Sequence, residues 1–426
     1  MQNVPQSAGL ARAVSEGAVV ACCAFVMLGF TAGQSLAQAE DPPAPAPNGV
    51  FSAITQGRLI LELRPRYERA EQAGFADADA STLRTRLGWE TDEWRGVKAL
   101  IEFEDVRKLG GQFNDGVPPA EPFATIGDPE GSELNRAQIA WRINPHVAVA
   151  LGRQRVAFDD ERFVGPAAWR QDEQTFDAAR ADLTFGAFKA TYVYLDRVNR
   201  VFAEELDWEG PAQLLNGGYA FNDHAKLTGF VYLLDFESPS AAVAQSSSTI
   251  GIRGSGAAKI GAVRFEYSAT YARQEDYGGN PAGFDLGYVG VQATATYGPL
   301  SGRVMYESLE GDGARGFSTP LASLHPFQGW ADAFTTTPPD GVVDVNAGLT
   351  LRPTLEARFF SNLALTARYH DFESERTSAD LGEEVDLFAT ADLTRRVSVI
   401  LKYADYDGPG APPDTSRAWF GLEFKL

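Results

Sequence analysis

Cysteine is almost missing from this sequence, and the two present stand side by side as Cys22 and Cys23 in an apolar stretch near the N-terminus. A disulfide framework is therefore excluded for everything downstream. Long apolar runs are missing as well: after Phe30 nothing approaches the ~18 consecutive apolar residues that a membrane-spanning helix needs. If this chain crosses a bilayer, it crosses with strands. Positive charge is scarce, with 37 Lys and Arg against 57 Asp and Glu and a net charge of -20. That balance argues against nucleic-acid binding. It leaves the sign of an internal channel open, because acidic residues can collect in outer loops while arginines collect inside. The sequence also lacks metal-ligand spacing, a phosphate-cradling glycine loop and a dinucleotide fingerprint, so neither a metal nor a cofactor is expected. Gly251 to Gly256 is glycine-rich, but with no helix after it this stretch reads as a strand end running into a turn.

What is present begins with an export signal. Arg12 precedes an apolar core from Ala18 to Phe30, and small residues at Ala37 and Ala39 mark a cleavage site. Residues 1–39 are read as the signal, so that the mature chain starts near Glu40. Val19-Val20-Ala21-Cys22 loosely resembles a lipoprotein box, yet most of the apolar stretch follows Cys22, which speaks against lipidation. Residues 40–57 form a proline-rich extended linker. The functional unit is then 58–426.

Over that unit apolar and polar residues take turns. At the C-terminus Ala418, Phe420, Leu422, Phe424 and Leu426 face one way, and Arg417, Trp419, Gly421, Glu423 and Lys425 face the other. Eighteen such runs are predicted, from 58–70 to 415–426, with 16–18 as the range; they include 246–255, 342–358 and 363–374. Tight turns at Asp92-Glu93-Trp94, Asn144-Pro145, Gly186, Asn222-Asp223, Gly256, Gly298-Pro299, Ser361-Asn362 and Arg395-Arg396 alternate with longer connections, notably 108–132, 155–173 and 311–341. The pattern predicts an all-β fold: a transmembrane antiparallel β-barrel in the outer membrane of a Gram-negative bacterium. Short turns and both termini lie in the periplasm, and long loops lie outside. A soluble β-sandwich shows the same alternation. The export signal, the strand number, aromatic strand ends such as Trp89, Trp141, Tyr297 and Phe359, and the apolar last strand decide for the barrel. Its partners are then outer-membrane lipid and the barrel-assembly machinery. That machinery reads closing strands like Glu423-Phe-Lys-Leu426, although an aromatic last residue is commoner.

Charges at alternate positions cannot face lipid, at ~2–4 kcal/mol for a basic residue at the midplane, so they face a wet lumen. Counting from the periplasmic turns places Arg66, Arg84, Arg86, Arg180, Arg264, Arg368 and Lys402 near mid-height, beside Glu102, Glu104, Asp182 and Glu266. Guanidinium forks next to carboxylates suit anionic or polyhydroxylated solutes. The competing reading is that these groups pair across strands and merely brace the wall.

The segment 151–180 carries Gly152-Arg-Gln, Asp159-Asp-Glu-Arg-Phe-Val-Gly165, Trp169-Arg-Gln and Thr175-Phe-Asp-Ala-Ala-Arg180. It resembles the alginate-export family of outer-membrane porins, as does His325-Pro-Phe-Gln-Gly-Trp-Ala-Asp-Ala-Phe334 in a long late loop. The resemblance implies a monomeric eighteen-stranded channel whose arginine-rich constriction passes an anionic uronate polysaccharide outward. Carried over, it makes Arg153, Arg162, Arg170 and Arg180 candidates for contacting carboxylated solute, with Asp160 and Asp177 holding them. Strand parity conflicts at one point: with Gly152 and Gln154 inward, Arg153 points outward unless a bulge intervenes. The loop 311–341, with Phe317, Phe327, Trp330 and Phe334, is long enough either to fold inward and gate the pore or to cap it outside.

Two rival functions remain. A barrel-embedded hydrolase needs a serine, a histidine and an acid; Ser308, Ser374 or Ser378 near His370 and Asp371 is the best such set, and no spacing ties them together. An uptake porin for other small acids or sugars shares every feature of the exporter, because a fold does not specify its cargo.

Overall fold

The computed structural model describes residues 48–426 apart from 203, 223 and 355–358; the export signal lies outside the described residues. Eighteen strands follow one another: β1 (Arg58–Gln72), β2 (Ala78–Glu90), β3 (Val97–Gln112), β4 (Gly131–Asn144), β5 (Val147–Gln154), β6 (Thr175–Phe185), β7 (Phe188–Asn199), β8 (Trp208–Asn222) and β9 (Ala225–Leu234) make the first half. The second half is β10 (Ser247–Ile260), β11 (Val263–Asp276), β12 (Asp285–Tyr297), β13 (Leu300–Leu309), β14 (Val342–Leu351), β15 (Ser361–Glu373), β16 (Asp380–Thr394), β17 (Val397–Asp407) and β18 (Thr415–Lys425). Each strand pairs antiparallel with its neighbours in sequence, and β1 pairs with both β2 and β18, so the sheet is closed. Closure leaves no sheet edge unsatisfied in lipid.

The two faces divide as the alternation demands. Leu87, Ile101, Phe103, Ile139, Leu349 and Leu401 are exposed on the outer wall, while Arg84, Arg86, Glu102, Glu104 and Asp386 are buried inside. Exposed Phe185, Phe188, Tyr219, Phe221 and Tyr297 gather at the short-turn end, where aromatic rings suit the headgroup level. Leu401 is 53% exposed midway along β17. A Leu401→Arg barrel should lose ~2–4 kcal/mol, read as a lowered urea midpoint for the folded band in liposomes.

Three details depart from the sequence expectations. Gly256 lies inside β10, whose turn comes at Gly261, φ 60°. The strand keeps glycine at 251 because the ring of Phe230 fills the space a Cβ would occupy, 2.1 Å away. The strand expected at 342–358 stops at Leu351, and Ser361, expected in the turn, already belongs to β15. Within the predicted extended linker, Val50–Thr55 form a short helix, α1, held by Trp89 Nε1 donating to the Ile54 carbonyl at 2.8 Å.

The long connections do not stand up into the medium. Residues 113–130, 155–174 and 310–341 turn into the barrel, and their apolar side chains pack on its inner wall. Phe163 sits 5.0 Å from Phe230 and 5.1 Å from Tyr288, centroid to centroid, and Phe334 lies 4.6 Å from Phe372. The core of the molecule is therefore inside the upper barrel, made by loop against wall.

Candidate functional site: a lumen narrowed by two inward loops

The loop 155–174 is fastened along its whole length. Arg162 is 1% exposed and donates to Glu307 at 2.6 Å and to Thr319 at 2.8 Å, joining this loop to β13 and to the loop 310–341. Gln171 accepts from Arg64 Nε at 2.8 Å and donates to Thr82 at 2.8 Å. The Trp169 carbonyl accepts from Arg66, which is also ion-paired with Asp128 of the loop 113–130. Burial raises the Asp128 carboxyl, but Arg66 and Arg170 outweigh it and hold the group below its usual range.

The loop 310–341 docks on β17, beside the same stretch of wall, through a boxed cation. Lys402 Nζ lies 3.9 Å from the Trp330 ring, 4.1 Å from Trp169 and 5.4 Å from Trp419, and bonds to His325 Nε2. His325 Nδ1 is 2.8 Å from Asp332, which also accepts from Arg170 at 2.8 Å. This geometry fits a neutral imidazole that donates at Nδ1 and accepts at Nε2. Burial and then Lys402 push its pKa down to about 3, against the pull of Asp332. The unfolded loop takes up a proton near pH 6.5 and the docked loop does not, so docking is weakened as pH falls from ~6.5 toward 3 by up to ~1.4 kcal/mol per pH unit. Wild-type channels should flicker more on acidification from pH 7 to 4, and His325→Gln should remove that slope in single-channel records.

A row of positions runs along the lumen wall across β13, β14 and β15. Arg303 of β13 pairs in register with Gly348, and Gly348 with Arg368 of β15. Gly348 leaves room there, since a Cβ would meet Arg368 Cγ at 2.9 Å. Arg303 Nε donates to Gln292 at 2.9 Å, and Arg368 lies over Trp330 at 4.8 Å. Among the described residues neither has a carboxylate within 4.0 Å. Both are half-buried, and carboxylates act on them from beyond ion-pair distance: Asp344 on both, Glu307 on Arg303 and Asp386 on Arg368.

The other predicted lumen residues are engaged. Arg84 meets Glu62 at 3.2 Å, Arg86 is bonded to Glu104, and Glu102 takes Arg136 through both oxygens at 2.8 and 2.6 Å. Arg180 pairs with Asp182 at 2.8 Å, and Asp160 with Arg253 at 2.8 Å. Phe327 lies under Arg162 at 4.9 Å, and Trp330 and Phe334 pack on the wall. Two expectations need correction. Arg264 is the second residue of β11 and sits with Glu266 just above the periplasmic turn instead of at mid-height. Arg153 shares the outer face with Leu151, 67% exposed, and is held by Asp177 at 2.8 Å; the unbroken β5 register contains no bulge to turn it inward. Above the constriction, a cavity of about 930 Å³ opens among Arg162, Arg170, Arg200, Arg315, Asp312 and Asp332.

A closed antiparallel barrel of eighteen strands is the fold that the sequence resemblance implied. The sequence profile described as alginate export matches residues 57–275, a little over half of the chain. The chain belongs to the alginate-export family. Members are outer-membrane porins, and this alginate-export chain is an outer-membrane porin channel. No curated protein sequence matches it. Its fold is shared with solved porins of low sequence identity. OccAB2 of Acinetobacter baumannii has a TM-score of 0.70 at 14% identity, covering 88% of this chain and 98% of its own. OpdK of Pseudomonas aeruginosa, solved with vanillate, has 0.68 at 12%, covering 88% and 99%. A BenF-like porin of Pseudomonas fluorescens Pf-5 also has 0.68 at 12%, covering 88% and 99%.

Sequence reasoning missed Arg303, Arg64, Arg253 and the acceptor Glu307. The signal for Arg303 and Glu307 was available: Ser301, Arg303, Met305 and Glu307 share one parity of β13. Arg253 was hidden by the early turn placed at Gly256.

Proposed function

We propose that the channel selects carboxylated solutes, with sugar acids and short uronate saccharides as the class that fits best. The observation that carries this reading is the Arg303–Arg368 pair, two guanidinium groups on the lumen face that, among the described residues, form no ion pair within 4.0 Å. A uronate offers a planar carboxylate for a bidentate fork and hydroxyls for the surrounding Gln292, Asn346 and carboxylates. A second reading, small aromatic acids, is favoured by Trp330 beneath Arg368 and by the neighbouring indoles of Trp169 and Trp419. In that reading a solute ring stacks where the Trp330 face already holds a cation.

Single-channel recording separates these readings. Uronate oligomers should interrupt the chloride current at lower concentration than neutral sugars of equal length. A current blocked by vanillate-type acids and untouched by uronates would assign the second class. Equal block by neutral and acidic sugars would remove the basis of both.

A further inference from the structure

Apart from the constriction, three carboxylates meet on the inner wall where the loop 155–174 ends. Glu104 of β3 and Glu133 of β4 are direct register partners, and Asp172 of the loop is laid against them. One oxygen from each lies within 4.8 Å of the others. Two oxygens ligating one calcium ion at ~2.4 Å lie at most ~4.8 Å apart, so the three carboxylates are close enough to share a hard cation. Carboxylates brought this close without one repel each other.

The surrounding charges do not supply the balance. Glu104 is held by Arg86, Glu102 by Arg136, and Glu173 by Arg155 at 2.5 Å. Among the described residues Asp172 and Glu133 have no cation within 4.0 Å, although Arg153 acts on Glu133 from farther away. Asp172 is 8% exposed, yet its Oδ1 is buried without any hydrogen-bond partner, and so is Glu133 Oε1. A buried carboxylate oxygen with nothing to accept from costs several kcal/mol, so native sites fill it with a proton, a water or a metal ion.

We propose that Glu104, Glu133 and Asp172 bind one divalent cation of the calcium or magnesium type, and that this ion pins the loop 155–174 to the wall. The all-oxygen donor set selects a hard ion over zinc or copper. Glu104 keeps one oxygen on Arg86 and turns the other toward the cluster, where the Glu173 amide also reaches it at 3.3 Å. Remaining coordination positions go to water. Without the ion, burial together with Glu133 and Glu104 drives the Asp172 carboxyl well above its usual range, which leaves protons as the alternative occupant.

The test uses the full barrel refolded from inclusion bodies, so that no lipopolysaccharide carries metal, stripped with EDTA and dialysed against calcium or magnesium chloride at neutral pH. Metal analysis should find one equivalent per folded wild-type chain. Titration should show binding weakened at least tenfold in Asp172→Asn and in Glu133→Gln. Chelator should raise the flicker rate of wild-type channels severalfold and leave the Asp172→Asn rate unchanged. A folded wild-type barrel with no equivalent at millimolar cation overturns the proposal in favour of shared protons. Undiminished binding in the variants overturns it as well. Should one variant fail to fold, the other and the wild-type stoichiometry decide.

Discussion

Reversing the charge at Arg303 and Arg368 together should turn an anion-preferring pore into a cation-preferring one. The two guanidiniums stand one strand apart, half-buried, on either side of Gly348. At ~6 Å from a passing ion each charge contributes ~0.7–3 kcal/mol for effective dielectric constants between ~80 and ~20. Two reversals change four charge units. The chloride-to-potassium permeability ratio should fall about tenfold or more, and the shift should shrink in high salt as the field is screened. Bi-ionic reversal potentials measure this directly. The control is the exchange Arg180→Asp with Asp182→Arg: the pair now at 2.8 Å is swapped without changing the net charge, so its effect should be several times smaller. A double variant that still prefers chloride would show that the filter lies elsewhere in the lumen.

The contrast between Arg180 and Arg303 shows where sequence reading stops. Parity along a strand says which residues face the lumen, because the side-chain period is two and the membrane enforces it. Hence all eighteen strands and many buried charges of the wall were legible, Glu102 and Glu104 among them, while Glu68, Glu307, Asp344, Glu384 and Asp386 were missed. Parity does not say which charges are already neutralised, since that depends on neighbours across the ladder and on loops arriving from far along the chain. Arg66 finds Asp128, and Arg162 finds Glu307, over sequence separations that no local pattern records. The same holds for Glu104, Glu133 and Asp172, whose spacing matches no ligand motif and which meet only because a loop folds back.

Turns were legible where glycine or proline marked a single possible bend, as at Gly186 and Gly298 with φ 58° and 54°. At Gly256 the same residue type served a different need, letting the strand pass the carbonyl of His224, and a turn was read too early. Arg153 is a case where parity and family resemblance disagreed. The structure follows parity, because an unbroken register cannot reverse a side chain.

Cutting back the loop 310–341 should have the larger effect on conductance. The neck of this loop is already closed: the Gly313 amide donates to the Pro339 carbonyl at 2.9 Å, and the Gly341 amide to Pro338 at 2.9 Å. Replacing residues 315–337 by two glycines therefore shortens the connection without pulling β13 and β14 out of register. What is lost is the docking. Trp330 and Phe334 leave the inner wall, and the Ala331 amide no longer donates to Glu384 at 2.7 Å. The barrel should survive, because every strand keeps its two neighbours, although thermal unfolding should come earlier once Phe334 no longer covers Phe372 and Tyr406. The 18-stranded barrel is then narrowed by 113–130 and 155–174 alone, and its aqueous channel is wider. Unit conductance should accordingly rise severalfold, while Lys402, freed from Trp330 and His325, joins Arg303 and Arg368 as a third exposed cation. Anion preference should then persist although discrimination among anions by size is lost. Unchanged conductance in the shortened variant would mean that solutes pass through a path this loop does not narrow.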